Sequence, residues 1–507
     1  MTSWMDPGRR LSSSRRQVLN VLGLSVLPLL PGKGLAYAAG SDDEDSWQAA
    51  EAILQRIRVP AFPDRVVDIA RFGAVGDGVT DCTGAIREAI RACASAGGGR
   101  VAVPSGRFLT GPIHLESNID LHLAEAQSVL TFSRDPKAYL PVVPTRWEGN
   151  DLHNYSPLIY AFEKENIAIT GRGTLDGQAS REHWWPWKGQ SQWGWQEGQP
   201  SQKAGSTRLR QQGGAAPRPD TGKFVQDPVA ERIYGEGWYL RPNFVEPYRC
   251  QNVLIDGITI INAPFWLLHP VYCTNVIIRN YRAASLGTNN DGCDPEACTD
   301  VLIENCTFDT GDDCIALKAG RGLDGLTNLL LGGQPAPCQN VVVRRCSFAN
   351  GDGGLTAGSE MSGGVRNVFA EELSMTNPKL KMAVRFKTNS FRGGRIENIH
   401  VRNVQVPTGV TNRAISIDYF YEEGKGGPFR PEVTDVFVSN MTVGPNPDSA
   451  SENYAIYLRG YATNPADPIG RVRISNCSFS ARKGNRVEAV TDLTMSNVML
   501  NGKKVES

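Results

Sequence analysis

One short phrase recurs along this chain: an Asn or Asp followed by alternating aliphatic, mostly β-branched residues. It reads Asn252-Val253-Leu254-Ile255, Asn275-Val276-Ile277-Ile278, Asp300-Val301-Leu302-Ile303 and Asn340-Val341-Val342-Val343. Further copies stand at Asn367-Val368, Asn398-Ile399, Asp435-Val436-Phe437-Val438 and Asp492-Leu493. The first intervals are 23 residues (Asn252 to Asn275) and 25 residues (Asn275 to Asp300), and later ones widen. A single unit of this kind cannot bury its apolar face, whereas stacked units share a continuous core. Coils of roughly 20 to 25 residues without helical periodicity predict an all-β fold, a right-handed parallel β-helix, with the wider intervals forming loops on the rungs.

The repeat runs through most of the 507 residues, so one elongated solenoid domain over residues 66–507 is expected in place of several compact ones. The 53 Gly and 31 Pro supply its many turns, and 21% charged with 40% hydrophobic residues is ordinary for a folded soluble protein. A formal net charge of zero argues against nucleic acid as a dominant partner.

Ahead of the repeats, Ser14-Arg15-Arg16-Gln17-Val18-Leu19 carries twin arginines, an apolar run follows over 18–30, and Ala36-Tyr37-Ala38 offers a small-residue cleavage site. Residues 1–38 therefore read as a twin-arginine signal peptide and 39–65 as a linker or helical segment. The apolar run spans about 13 residues against the ~20 a membrane span requires, so a periplasmic or secreted protein, monomeric and free of the membrane after maturation, is expected. Within Asp68-Ile69-Ala70-Arg71-Phe72-Gly73-Ala74-Val75-Gly76-Asp77-Gly78, glycines form a turn, and a helix over 82–96 with Ala85, Ile86, Ala89 and Ile90 on one face is expected to cap the open end of the stack. No Gly-Lys-Ser/Thr and no dinucleotide spacing accompanies these glycines.

The 11 cysteines lack the spacing of a disulfide framework or zinc site. Cys306, Cys346 and Cys477 occupy equivalent places in the repeat and are expected to stack as small buried apolar residues. Cys293 with Cys298, and Cys250 with Cys273, are candidate bridges.

Chemistry concentrates between Thr288 and Lys318, in Thr288-Asn289-Asn290-Asp291-Gly292 and Gly311-Asp312-Asp313-Cys314. Asp291 and Asp312 are 21 residues apart, one coil. Farther on, Arg385 and Lys387 share one face of a strand while Val384 and Phe386 take the other. Hydrolysis of a glycoside needs an acid for the leaving oxygen and a base for water, and inversion places the two ~6.5 to 9.5 Å apart. Neighbouring coils lie ~4.8 Å apart, so carboxylates on adjacent coils fall near that range. Consecutive aspartates point to opposite faces of a regular strand. Gly311 allows a kink that brings both Asp312 and Asp313 to the cleft.

Together these features resemble glycoside hydrolase family 28, the polygalacturonases and their relatives. Asn290-Asp291-Gly292 is similar to the family's Asn-Thr-Asp element with Asn290 in the Thr place, Gly311-Asp312-Asp313 matches its Gly-Asp-Asp, and Arg385-Phe386-Lys387 is similar to its Arg-Ile-Lys. Gly358-Ser359-Glu360-Met361-Ser362-Gly363-Gly364-Val365-Arg366-Asn367 is typical of bacterial, often exo-acting members. The resemblance implies hydrolysis of pectic polysaccharide or oligogalacturonide with Asp312 as general acid and Asp291 and Asp313 holding and deprotonating the water. It also implies Arg385 and Lys387 on a uronate carboxylate, Asn290 in the binding cleft, either Tyr419 or Tyr421 at its edge, and no metal or organic cofactor. One departure stands out: Gly351-Asp352-Gly353 replaces the family's Gly-His-Gly. Asp352 adds a fourth negative charge, or serves as a turn residue among glycines. The same fold also hosts calcium-dependent pectate lyases, for which the acids would hold calcium and Arg385 act as base, and non-catalytic carbohydrate-binding proteins.

A loop insertion over residues 181–241 interrupts the stack, and Trp184, Trp185, Trp187, Trp193 and Trp195 cluster at its start. These rings either wall sugar subsites or pack on the coil side. The Gly, Ser, Gln and Pro of 199–221 predict a mobile stretch.

Overall fold

The side chains of the repeated phrase stack in register. In the computed structural model, which describes residues 43–463 and 466–505, Val253 pairs with Val276, Val276 with Val301, Val301 with Val341 and Val341 with Val368, each on the next parallel strand. The column runs on through Ile399, Val436 and Val472, all of them buried. The leading residue of each phrase bends the chain. Asn252, Asn275, Asp300, Asn340, Asn367, Asn398 and Asp435 have φ between 55 and 58, a left-handed conformation that Asn and Asp enter at lower cost than other side chains. Their amides form a ladder: Asn275 donates to Asn252 (2.8 Å), Asn367 to Asn340 (3.0 Å) and Asn398 to Asn367 (2.9 Å). Asp300 has no amide hydrogen to pass along. There Arg56 pairs with its carboxylate at 2.7 Å, and Asn275 exchanges hydrogen bonds with the Arg58 backbone.

Arg56 ends helix α1 (Asp43–Arg56) and Arg58 follows it; the helix falls within the linker or helical segment 39–65. Strand alternation turns Leu254, Ile277, Leu302 and Val342 outward, and α1 covers that apolar stripe with Trp47, Ala50 and Ile53. Helix α2 (Thr83–Ser95) lies within the expected 82–96 and buries Ile86, Ala89, Ile90 and Cys93 against the first coil. The twin-arginine leader expected over 1–38 lies outside the described residues. Among the described residues no helix is long and apolar enough to cross a membrane.

All 11 cysteines are free and buried. Neither candidate bridge is formed; instead Cys250, Cys273, Cys298 and Cys338 stand one above another on successive coils, and the first three thiols point to backbone carbonyls of Ala161, Pro247 and Pro270 at 3.2 to 3.4 Å. Cys306, Cys346 and Cys477 are buried core residues, as their place in the repeat predicts.

One sheet positions the site. Its strands are β1 (Ile113–His114), β2 (Ile159–Phe162), β3 (Val245–Tyr248), β4 (Ile315–Leu317), β5 (Leu355–Ala357), β6 (Met382–Lys387), β7 (Arg413–Asp418), β8 (Tyr454–Arg459) and β9 (Asn485–Glu488). Parallel bridges at Leu268 and Cys293 join β3 to β4. Residues 181–241 pack across this stack. Trp184 is buried against Tyr139, and Trp187 sits between Trp184 and Tyr239 with ring centroids 5.0 and 5.2 Å away. These two rings are therefore packing, not sugar walls. The stretch expected to be mobile contains a helix, Lys203–Gln212, fixed by buried Leu209 and by an Arg210–Glu148 ion pair of 2.9 Å. Tertiary contact overrides its local composition there.

Candidate active site

In-register pairing of Cys293 with Ile315, and of Ile315 with Leu355, places Asp291, Asp313 and Gly353 side by side on three coils, and Asp312 beside Asp352. Asp312 and Asp313 precede β4, in a turn. The Asp312 carboxylate accepts from the Asp313 amide at 3.0 Å, and Thr310 Oγ1 donates to the Asp312 carbonyl at 2.9 Å. A Cβ on Gly311 would collide with the Gly287 carbonyl, so only glycine permits this kink. Both carboxylates consequently turn to the side of Asp291. One oxygen from each of Asp291, Asp312 and Asp313 lies within 4.8 Å of the others. This is shorter than the ~6.5 to 9.5 Å that the sequence reading anticipated for an inverting pair: side chains converging from a turn and an adjacent coil meet more closely than the coil spacing alone suggests.

The three acids differ in charge. Asp313 is fully buried, which opposes ionisation, yet Lys387 Nζ at 2.6 Å and Arg385 at 3.0 Å outweigh burial and hold its carboxyl down at about 2. Among the described residues Asp312 has no such ion-pair partner. Burial first, then Asp352 and Asp313, push it up to about 6 against the pull of Lys387 and Arg385. Asp291 is raised well above the carboxylate range by burial and Asp312, although Lys318 Nζ stands 3.4 Å away.

Arg385 and Lys387 thus meet Asp313 as well as the cleft. Each spends one donor on it, leaving four guanidinium hydrogens and two ammonium hydrogens for other acceptors. Tyr421 lies over this pair, its ring centroid 5.1 Å from Lys387 Nζ and 5.5 Å from Arg385 Cζ. Of the two candidate tyrosines it is the one at the site. Tyr419 is in the core, accepting from the Val433 amide at 2.7 Å, because the strand ends at Asp418 and the following turn rotates the next residues differently. Asn290 also departs from its expected place in the binding cleft. It is fully buried, with Oδ1 accepting from Ser285 (2.6 Å) and the Gly287 amide (2.9 Å) and Nδ2 directed to the Ala263 and Phe265 carbonyls. It shapes the loop carrying Asp291. Asp352 is partly exposed, and its carboxylate is 2.5 Å from Lys381 Nζ.

Several site residues escaped sequence reasoning. Lys318 closes the strand after Asp313, its ammonium between Asp291 and Glu360 (3.4 and 3.2 Å) and 4.2 Å above the Trp266 ring. Its place two residues after Ala316, directly beyond β4, was the available signal. Asp294 is buried beside Asp291, and among the described residues neither of its carboxylate oxygens has a hydrogen-bond partner. Lys188 of the insertion donates to Asn289 Oδ1 at 2.8 Å, and Arg241 holds the same oxygen at 2.8 Å. Nothing periodic marks these two.

The model of glycosyl hydrolases family 28 matches residues 236–502, more than half of the chain and all of the site acids and cations just described except Lys188. The chain belongs to glycosyl hydrolases family 28. This family 28 hydrolase is 43% identical to an exopolygalacturonase from Thermotoga maritima, whose crystal structure superposes with a TM-score of 0.82 over 91% of this chain and 97% of that one. It is 29% identical to a probable polygalacturonase of Vitis vinifera over 86% of this chain and 79% of the relative, and 26% identical to the exo-poly-alpha-D-galacturonosidase of Dickeya chrysanthemi over 84% and 68%. The chain is a polygalacturonase-like glycoside hydrolase, and family membership selects hydrolysis over elimination and over binding without cleavage.

Proposed function

We propose that this family 28 enzyme is an exo-acting hydrolase of galacturonan, releasing uronic acid units from chain ends. The observation that carries the reading is the opposed charge state of adjacent carboxyls, Asp312 raised to about 6 and Asp313 lowered to about 2, next to two cations able to grip a uronate. Asp312 donates the proton to the leaving oxygen. Asp313 takes the proton of the attacking water, with Asp291 helping to hold that water. Both Asp313 oxygens are already engaged by Arg385 and Lys387, which makes it a poor nucleophile and favours a single, inverting displacement. Arg385, pushed further up by Asp313 after allowing for burial, is no candidate for a lyase base.

Support for end-on attack comes from the insertion, whose Lys188 reaches Asn289 at the site and whose Arg210 joins Glu148 beside Arg321. The names of the Thermotoga and Dickeya relatives point the same way. The twin arginines and apolar run of residues 1–38 support an export leader, consistent with a periplasmic or secreted enzyme acting on pectic polymers. The test is incubation with homogalacturonan, rhamnogalacturonan and oligogalacturonides, reading reducing ends, ultraviolet absorbance of unsaturated products, and the anomer first released. Monomer alone, with inverted anomeric configuration and no absorbance, is expected from homogalacturonan, and none from Asp312→Asn. Mixed oligomers at early times would overturn the exo assignment.

A further inference from the structure

The one motif position that the reading above leaves without a task is Asp352, where the family resemblance leads one to expect histidine. Its backbone amide donates to the Asp312 carbonyl at 3.0 Å, so the two aspartates are neighbours on adjacent coils. The glycines around it keep it there. A Cβ at Gly353 would strike Thr356 Oγ1, and one at Gly351 would come within 2.7 Å of Cys314 Sγ. Lys381, on the coil beyond, reaches back to the Asp352 carboxylate at 2.5 Å, and the Lys381 amide donates to the Gly351 carbonyl at 2.9 Å, which fixes the lysine's origin as well as its tip. Asp312, Asp352 and Lys381 therefore form a short row across three coils: acid, acid, cation.

We propose that Asp352 and Lys381 act as a positioning pair that sets the working pH of the general acid Asp312, a task this chain gives to a carboxylate and an ammonium in place of an imidazole. The proposal rests on Asp312 being the acid. A carboxylate beside Asp312 favours its protonated form, and an ammonium beside that carboxylate moderates the effect. Histidine would act with the opposite sign whenever charged. The other groups in the field of Asp312 include Asp291, Asp294, Asp313, Arg385, Lys387, Lys188, Arg241 and Tyr421. Of the charged neighbours, Asp352 contributes most to the upward push on Asp312. It is also the one whose counter-ion faces solvent, the Lys381 side chain being 52% exposed.

The experiment measures kcat against pH on a defined oligogalacturonide for the full chain and for Asp352→Asn and Lys381→Met. The basic limb reports loss of the proton on the general acid. Asp352→Asn is expected to move that limb down by about one pH unit, the scale of one like charge a coil away. Lys381→Met is expected to move it up, because the unpaired Asp352 then repels more strongly. High salt should shrink both displacements. A purely structural turn residue would lower kcat without moving either limb. An unmoved limb, or displacement of both variants in one direction, would overturn the assignment. Lys381→Met empties only a half-exposed site, so it decides the matter alone should Asp352→Asn fail to fold. Activity surviving in Asp312→Asn would instead strike the underlying catalytic reading.

Discussion

Replacing Lys387 by Met keeps an unbranched stem in a buried place and removes one charge 2.6 Å from Asp313. Asp313 is fully buried, and its carboxyl is held at about 2 against an ordinary 3.8 chiefly by Lys387 and Arg385, despite burial. That difference of nearly two pH units corresponds to roughly 2 to 3 kcal/mol favouring the ionised folded state. Because the folded value is depressed, this stabilisation is present above the unfolded value near 4 and is lost as pH falls through about 2. With Arg385 still in place at 3.0 Å, Lys387→Met should forfeit about half of it and raise the carboxyl by about one pH unit. Breaking a buried pair adds the cost of a poorly compensated anion, so a loss of about 2 to 4 kcal/mol is expected in chemical denaturation at neutral pH. Asp313 must be anionic to accept the proton of water, so the acidic limb of kcat/KM should rise by about one pH unit, and KM for uronate substrates should also increase. Reducing-end assays across the acid range, paired with denaturant titrations, read all three. An acidic limb that stays in place while stability falls would refute the claim that Lys387 keeps the base ionised.

Asp312→Asn should abolish turnover yet stabilise the fold by about 1 to 3 kcal/mol at neutral pH. The raised carboxyl costs the native state stability as pH climbs from the unfolded value through about 6, and an amide carries no such cost. Opposite signs in activity and denaturation midpoint are the check. Asn367→Ala removes one link of the amide ladder and places alanine at φ 55, for an expected loss of about 2 to 4 kcal/mol with kcat unchanged in the folded fraction. Lys188→Met should raise KM about tenfold on the shortest oligogalacturonides while leaving the denaturation midpoint nearly in place. An unchanged KM would remove Lys188 from the binding cleft.

How much the sequence revealed depended on how local each cause was. The repeated phrase was legible because its cause is local: a left-handed residue followed by a strand calls for Asn or Asp in every coil, whereas the amide ladder those residues form came only with the structure. Asp312 and Asp313 were legible because a glycine kink is the simplest way for consecutive residues to share a face. Asn290 misled because a short amide suits a substrate hydroxyl and a backbone turn equally well, and only the carbonyls of Ala263 and Phe265 decide between them. Alternation would put Tyr419 and Tyr421 on one face, and only the turn after the strand's end at Asp418 sends them to different places. The pairing of Arg385 with Asp313 spans 72 residues, and that of Lys188 with Asn289 spans 101 across an insertion without a period. The disulfide candidates failed for a related reason. Spacing brought Cys250, Cys273 and Cys298 into one column whose thiols point to carbonyls, while Cys293 lies outside it, in register with Leu268 and Ile315.

Beneath the cleft, Lys318 and Asp294 pose the remaining electrostatic question. The floor holds buried Asp291, Asp294, Asp313 and Glu360 beside partly exposed Asp312, faced by buried Lys318 and Lys387, by partly exposed Arg385, and by buried Arg321 3.7 Å from Glu360; five acids meet four cations, an excess that burial disfavours leaving ionised. Asp294 sits close enough to Lys318 to look like its counter-ion. The ammonium, however, makes its contacts with Asp291 and Glu360, while neither Asp294 oxygen has a hydrogen-bond partner among the described residues. Burial and then Asp291 drive the Asp294 carboxyl well above the usual range despite Lys318. Asp294 is therefore expected to be a neutral acid at working pH, and Asp294→Asn becomes a substitution of one neutral group for another. It should change stability by less than about 1 kcal/mol and leave the pH limbs of kcat in place. Were Asp294 the anion that balances Lys318, the same variant would strand a buried cation and cost roughly 3 to 5 kcal/mol. A denaturant titration of Asp294→Asn separates the two outcomes, and a loss of the larger size would show that the proton count of the floor, and with it the division between Asp312 as acid and Asp313 as base, must be drawn differently.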